Sequence, residues 1–276
     1  YWKIIRWFLA KVFFFNNENL NKILKLKTFS NKYKKEKLIK SILDISVYSS
    51  LLKASFLKRA GDVRFRTAKD LKKNKPDDII ILVEKKIKLI ISDIEKYKKK
   101  SNAFSKLLTP NAKEILNLEC PKFDGVITSP PYLNGTNYFR NSKLELWYMN
   151  FINNKIRLRD FRNEAITSGI NDVNLKIKKT TLKEVKNIFL KSSVNAYDRR
   201  IPKMINDYFF DMKLVFLGFK KCLKPKSRIC IDIGDSIFNE IHIPTDKILI
   251  DIAKNLKFKF LDRVILRKRL SHSKKP

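Results

Sequence analysis

Ser129-Pro130-Pro131-Tyr132 groups residue types that suit a defined chemistry. The side-chain oxygen of Ser129 and the backbone carbonyl of Pro130 are two hydrogen-bond acceptors close together. Successive prolines fix φ and remove a backbone donor that would compete for them. A rigid pair of this kind can take both hydrogens of an amino group on a conjugated ring such as cytosine or adenine. The amine's lone pair, otherwise delocalised into the ring, is then drawn out and aimed at an electrophilic methyl group. Tyr132 supplies a ring on which the target base can stack after leaving a duplex. The proton is lost late, to solvent or through the Ser129 contact, so the chemistry needs no strong general base, and an already activated methyl donor needs no metal. Pro-Pro turns also follow strands for structural reasons alone, so the surroundings decide.

The turn must be carried by rigid elements. Phe123 to Thr128 reads as a buried strand that ends in it, and 141–151 as a helix with Leu144, Trp147, Tyr148 and Phe151 on or near its buried face. A longer helix is predicted over 202–222, closed by Leu223-Lys224-Pro225. There follow a strand over 228–233, a turn at Gly234-Asp235-Ser236, a helix over 245–256 with Thr245 as N-cap, and a last strand over 258–266. Short β-branched runs alternating with helical patterns after Pro110 indicate an α/β layer structure. In open α/β sheets the ligand lies beyond the carboxyl ends of the strands, where both turns fall. Before this, the chain is mostly helical and heavily charged. Ile87, Ile90, Ile91, Ile94 and Tyr97 share one helical face, and Gly61-Asp62 reads as a turn between two helices. Residues 2–15 read as a basic amphipathic helix packed on a domain. The expected division is a Lys-rich helical arm or insertion over 1–105 and a catalytic part over 106–276.

Ser-Pro-Pro-Tyr after Phe123-Asp124-Gly125-Val126-Ile127-Thr128 resembles the signature of the N4-cytosine and N6-adenine DNA amino-methyltransferases, the Ser form being commoner among the N4-cytosine enzymes. The resemblance runs from Leu133 through Tyr138, Phe139 and Arg140 to Trp147. It resumes at Cys222-Leu223-Lys224-Pro225, at Ile231-Asp232-Ile233-Gly234-Asp235-Ser236 and at Ile243-Pro244-Thr245, roughly the C-terminal 60% of the chain. It implies a Rossmann-like sheet, here incomplete, and S-adenosylmethionine as cofactor. It also implies DNA methylation of the kind found in restriction-modification. Catalytic roles fall to Ser129, Pro130, Pro131 and Tyr132, and cofactor contacts to Thr128, Asp235 and Ser236. Tyr138, Arg140 and Lys143 are candidates for nucleic-acid contacts, though an exposed loop with ordinary charges explains them as well. Arg157, Arg159 and Arg162 form a basic cluster open to the same two explanations. Asn111 stands where related chains often carry an acidic residue near the cofactor's adenine, and an N-cap role accounts for it equally. Asp124 reads best as a strand-edge carboxylate.

One part of the pattern is missing. The family's glycine-rich strand-end turn is absent, and no two of the six glycines lie within a few residues of each other. The chain begins at Tyr1, and the expectation is that this turn lies upstream of it; the rival is a degenerate protein.

The net charge of +34, from 61 Lys and Arg against 27 Asp and Glu, suits a polyanionic partner, although AT-rich coding also writes Lys-rich proteins. Cys120, Cys222 and Cys230 form no CxxC pair and are odd in number, which argues against disulfides and zinc and for a reducing, cytoplasmic setting. No uncharged apolar run reaches membrane-span length, which argues against a membrane partner. His242 and His272 have no sequence partner for a metal site or a hydrolytic triad. The resulting expectation is methylation of cytosine N4 in DNA. Adenine N6, an RNA amine, and a decayed, basic nucleic-acid-binding protein are the alternatives.

Overall fold

The computed structural model describes residues 14–60, 62–97, 105–133, 138–152, 155–238 and 240–267. The chain divides into two compact units, the first formed by 1–110 and 134–176, the second by 111–133 and 177–276. The predicted helix over 2–15 lies, up to residue 13, outside the described residues.

In the first unit, helices α1 (Asn17–Lys32), α2 (Lys37–Tyr48) and α4 (Ile79–Lys96) pack together, with the short α3 (Ala68–Lys73) between α2 and α4 in the chain. Their starts are set locally. Asn16 accepts from the Asn19 backbone, Thr67 and Asp70 form a capping box, and Asp78 accepts from the Ile80 backbone. The core gathers Ile23, Val47, Leu51, Leu57, Ile79 and Val83 with Trp147 and Tyr148. Buried Asn19 ties three segments: its amide donates to the Ala54 and Asp77 carbonyls at 3.0 and 2.9 Å, and its oxygen accepts from Ile79 at 3.2 Å.

Three expectations are corrected here. Gly61 lies outside the described residues, and the segments on either side of it are not helices but strands β1 (Leu57–Ala60) and β2 (Asp62–Phe65), which form an antiparallel pair. The predicted face of α4 is covered only in part. Ile87 and Ile90 are half-buried, whereas Ile91, Ile94 and Tyr97 are exposed; the enclosed positions of this helix are Ile79 and Val83. The single helix expected over 141–151 is two short ones, α5 (Tyr138–Asn141) and α6 (Lys143–Tyr148), ending at Asn150 with φ of 64°. Leu144, Trp147 and Tyr148 are buried as expected, but Phe151 is exposed. Helix α7 (Lys155–Glu164) and a 3-10 turn at Ile170–Asp172 complete the unit.

The second unit is built round α9 (Ile201–Cys222), which has Pro202 in its first turn, where a missing N–H costs nothing. Met204, Ile205, Tyr208, Phe209 and Met212 are fully enclosed, so this helix is apolar on most sides. It packs on a 3-10 helix at Ala112–Asn117, on α8 (Lys186–Asn195) and on α10 (Thr245–Asn255). Asn111 caps the 3-10 helix by accepting from Lys113 at 3.0 Å, in line with the capping explanation. Two buried carboxylates of α9 are ion-paired, Asp207 with Lys203 at 2.7 Å and Asp211 with Lys179 at 2.6 Å.

Strands β3 (Phe123–Thr128) and β4 (Leu223–Ile231) form a parallel pair, with Val126 opposite Ile229 and Thr128 opposite Ile231. Gly125 lets the strands meet, since a Cβ there would come within 3.1 Å of the Arg228 carbonyl. The small strands β5 (Ser236–Phe238) and β6 (Ile241–Ile243) pair antiparallel just downstream. This is a mixed helix and strand architecture with small sheets, compatible with an α/β methyltransferase.

Several local expectations shift in this unit. β3 is not a buried strand: Val126 and Thr128 are half-buried, but Ile127 is 91% exposed, and Gly125, Arg228 and Cys230 are exposed with it. β4 starts at Leu223, directly at the end of α9, and stops at Ile231 rather than at Ile233. Thr245 is the first helical residue of α10 rather than its cap; its hydroxyl donates to the Ile243 carbonyl. Residues 258–266 pair with no strand among the described residues. A further correction is covalent. Cys120 and Cys222 form a disulfide, their Cα atoms 6.0 Å apart, leaving Cys230 free and exposed. A separation of 102 residues and an odd count hid this pairing, which removes cysteine usage as an argument for a reducing compartment.

Among the described residues no helix is long and apolar enough to cross a membrane, and no group of three His, Cys, Asp or Glu side chains could hold a metal.

Candidate active site

The parallel register of β3 and β4 brings two turns to one end of the pair. The ladder continues one residue past β4, where the Asp232 backbone donates to the Thr128 carbonyl at 3.0 Å. From that point 129–132 leave β3 and 232–236 leave β4 side by side. Pro130 is buried and Pro131 half-buried, which anchors the turn, while Ser129 and Tyr132 are exposed. Among the described residues, neither the Ser129 hydroxyl nor the Pro130 carbonyl is taken up by a hydrogen bond. Among the described residues neither acceptor is committed to another partner, Ser129 being exposed and Pro130 buried.

Contacts between the two turns are specific. The Tyr132 hydroxyl donates to Asp232 Oδ2 at 3.0 Å. A Cβ on Gly234 would lie 3.7 Å from Tyr132 Cδ2, an ordinary contact, so this glycine borders the ring. The Ser236 hydroxyl donates to the Leu133 carbonyl at 2.5 Å, fixing the chain immediately after Tyr132. Asp235 Oδ2 meets His242 Nε2 at 2.9 Å, across the β5–β6 pair. Deeper in the same unit, Tyr208 is fully buried, and its hydroxyl has no hydrogen-bond partner among the described residues. Burial, with a smaller push from Tyr132, holds that phenol well above its ordinary range.

The chain is 26% identical over 184 residues to the Type II methyltransferase M.BsoBI of Geobacillus stearothermophilus. The match covers 55% of this chain and 34% of the relative, so the chain spans about a third of the length of the curated protein it matches. This distant similarity supports the methyltransferase family. No family model and no solved structure matches the chain.

The residues singled out in the sequence divide between the units. Thr128, Ser129, Pro130, Pro131, Tyr132, Asp235 and Ser236 all belong to the second unit and gather at the strand ends. Tyr138, Arg140 and Lys143 belong to the first. Tyr138 is exposed, Lys143 places its ammonium 4.7 Å from the Phe14 ring centroid, and the Arg140 side chain lies outside the described residues. In the basic cluster, Arg157 is paired with Asp160 at 3.6 Å and lies over Phe161.

Of the residues that the resemblance assigns to S-adenosylmethionine, two make contacts within the protein. The Ser236 hydroxyl and the Asp235 carboxylate are already engaged within the loops, and Gly234 stands alone rather than in a glycine-rich turn.

Sequence reasoning missed three features. Asp232 is the partner of Tyr132, His242 has a carboxylate neighbour, and Tyr208 lies buried within electrostatic reach of Tyr132. The first was discoverable once β3 and β4 were paired in parallel, because that register sets Asp232 one step beyond Thr128. The other two depend on packing that no local pattern signals.

Proposed function

We propose that this protein transfers a methyl group to an exocyclic amine in DNA, cytosine N4 first and adenine N6 second. The observation that carries the reading is the Ser129-Pro130-Pro131-Tyr132 turn at the end of β3, with two uncommitted acceptors beside a tethered aromatic ring. Ser129 Oγ and the Pro130 carbonyl accept the two amine hydrogens, which draws the nitrogen lone pair out of conjugation and orients it. Pro131 stiffens the turn, and Tyr132 stacks on the extruded base. When bound, S-adenosylmethionine would supply an already activated methyl group. The net charge of +34 favours association with a phosphate backbone, and the similarity to a Type II methyltransferase agrees with DNA as substrate.

The Rossmann-like sheet of this reading needs further strands beside β3. Exposed Ile127 and Cys230 on one face of the parallel pair call instead for a covering layer such as helices, because all-parallel sheets are normally covered on both faces. The absence of a glycine-rich turn favours a second reading, a basic nucleic-acid-binding protein without catalysis.

Incubation of the complete gene product with methyl-labelled S-adenosylmethionine and either duplex DNA or tRNA and rRNA tests both. Label in cytosine N4 of DNA is the expected result. Label in adenine N6 keeps the mechanism and changes the base, whereas label in RNA alone overturns the choice of substrate. Tight, salt-sensitive binding with no transfer to any of them supports the binder.

A further inference from the structure

Tyr132 is fixed by more than its own backbone. It leaves β3 behind two prolines, one of them buried, and the next residue is pinned by the Ser236 hydroxyl on the Leu133 carbonyl. Its ring would still be free to swing, since 36% of the residue is exposed, but for the Asp232 carboxylate that accepts its hydroxyl at 3.0 Å. Asp232 is itself set by the strand register, its backbone bonded to Thr128. Gly234 then borders the ring without crowding it.

Resting on the reading of Tyr132 as the base-stacking residue, we propose that Asp232 is a positioning residue that fixes the Tyr132 ring before the base arrives. A side chain that must be ordered at the moment of stacking loses rotamer freedom then, and a tethered ring has lost it already. An ionised aspartate is the fitting anchor, because it is acceptor-only and makes a stronger, charge-assisted bond to a phenol than a neutral group does. The tether uses the one polar atom of the tyrosine at the far end of the ring and leaves its π surface for the base. This also gives the hydroxyl a purpose that stacking alone does not require, since phenylalanine would stack equally well.

The test uses the complete protein, the native duplex for methyl transfer, and a duplex with 2-aminopurine at the modified position to report stacking. Asp232→Ala and Tyr132→Phe should each lower kcat by about three- to tenfold, the scale of one partly exposed charge-assisted hydrogen bond, with KM for DNA little changed. Both should raise 2-aminopurine emission in the complex, as the base stacks less well. Asp232→Asn, which keeps an acceptor oxygen and the volume, should restore most of the rate. The double variant should be no slower than the slower single one. An Asp232→Ala protein with the kcat and emission of the unaltered protein overturns the proposal, as does an Asp232→Ala effect that persists in full on the Tyr132→Phe background. These outcomes leave the methyltransferase reading intact. Absence of methyl transfer by the unaltered protein removes that reading, and this proposal with it.

Discussion

Gly218 of α9 lies against Ile115 so closely that a Cβ on the glycine would stand 2.8 Å from the Ile115 Cβ and 3.2 Å from the Leu116 backbone nitrogen. The close approach lets α9 lie on the 3-10 helix upstream of β3, one turn before the chain enters β4. Gly218→Ala should gain up to about 1 kcal/mol in helix propensity, but overpacking against a β-branched side chain and backbone costs about 1–3 kcal/mol. A net loss of stability in urea unfolding is predicted. Unchanged or increased stability would show that the two elements part easily.

The Cys120–Cys222 disulfide closes a loop spanning 102 residues and joins the segment entering β3 to the end of α9. Closure of so long a loop is worth up to about 5 kcal/mol by restriction of the unfolded chain, and disulfides typically deliver about 2–4 kcal/mol. Addition of reductant, or Cys222→Ser, should lower the denaturant midpoint accordingly, and Cys230→Ser should not move it. Equal midpoints with and without reductant would contradict the cross-link.

Lys27 gives a pH dependence with a defined sign. Burial beside the Trp147 and Tyr148 rings lowers its pKa to about 8, against 10.5 for a free lysine, and its ammonium donates to Asn150 at 2.6 Å. Between these values the unfolded chain binds the proton that the folded chain has released, so stability rises with pH across that window. Below about pH 8 both states are protonated and the cost of burying the charge is constant. The stability of the natural protein relative to Lys27→Met should therefore increase from pH 8 to 10.5. A difference that stays flat would show that Lys27 is solvated in the folded state.

Tyr132→Ala removes the stacking surface while leaving Ser129, Pro130 and the basic residues in place. Loss of base stacking is worth about 1–3 kcal/mol, so methyl transfer should fall by about tenfold or more. The salt dependence of DNA binding, set by phosphate neutralisation, should be preserved. A parallel loss of binding and of its salt slope would assign Tyr132 to docking rather than to the target base.

Much of this arrangement is legible in the residues because it is local. Two prolines after a β-branched run mark a strand end, and the predicted strand coincides with β3 at its observed bounds, Phe123–Thr128. The helix seen at Ile201–Cys222 matches its predicted bounds within one residue, since its apolar positions recur over six turns. What escapes a reading of the sequence depends on partners distant in the chain. The burial of β3 is overestimated because an apolar run reports the tendency to be covered, not the presence of a cover. The bond from Tyr132 to Asp232 joins residues 100 positions apart, and only the parallel register makes them neighbours. Gly61-Asp62 reads as a turn between helices because the strands there, Leu57–Ala60 and Asp62–Phe65, are four residues each, too short to show a period.

Nucleoside mass spectrometry on DNA from cells that express the complete reading frame, beside the same strain without the gene and one carrying a Ser129→Ala variant, bears most directly on the Ser129 turn. N4-methylcytosine present with the natural protein and absent with Ser129→Ala is the predicted result. An undiminished level of the methylated base in the Ser129→Ala cells, or no methylated base with a folded natural protein, would contradict the assignment of amine activation to this turn.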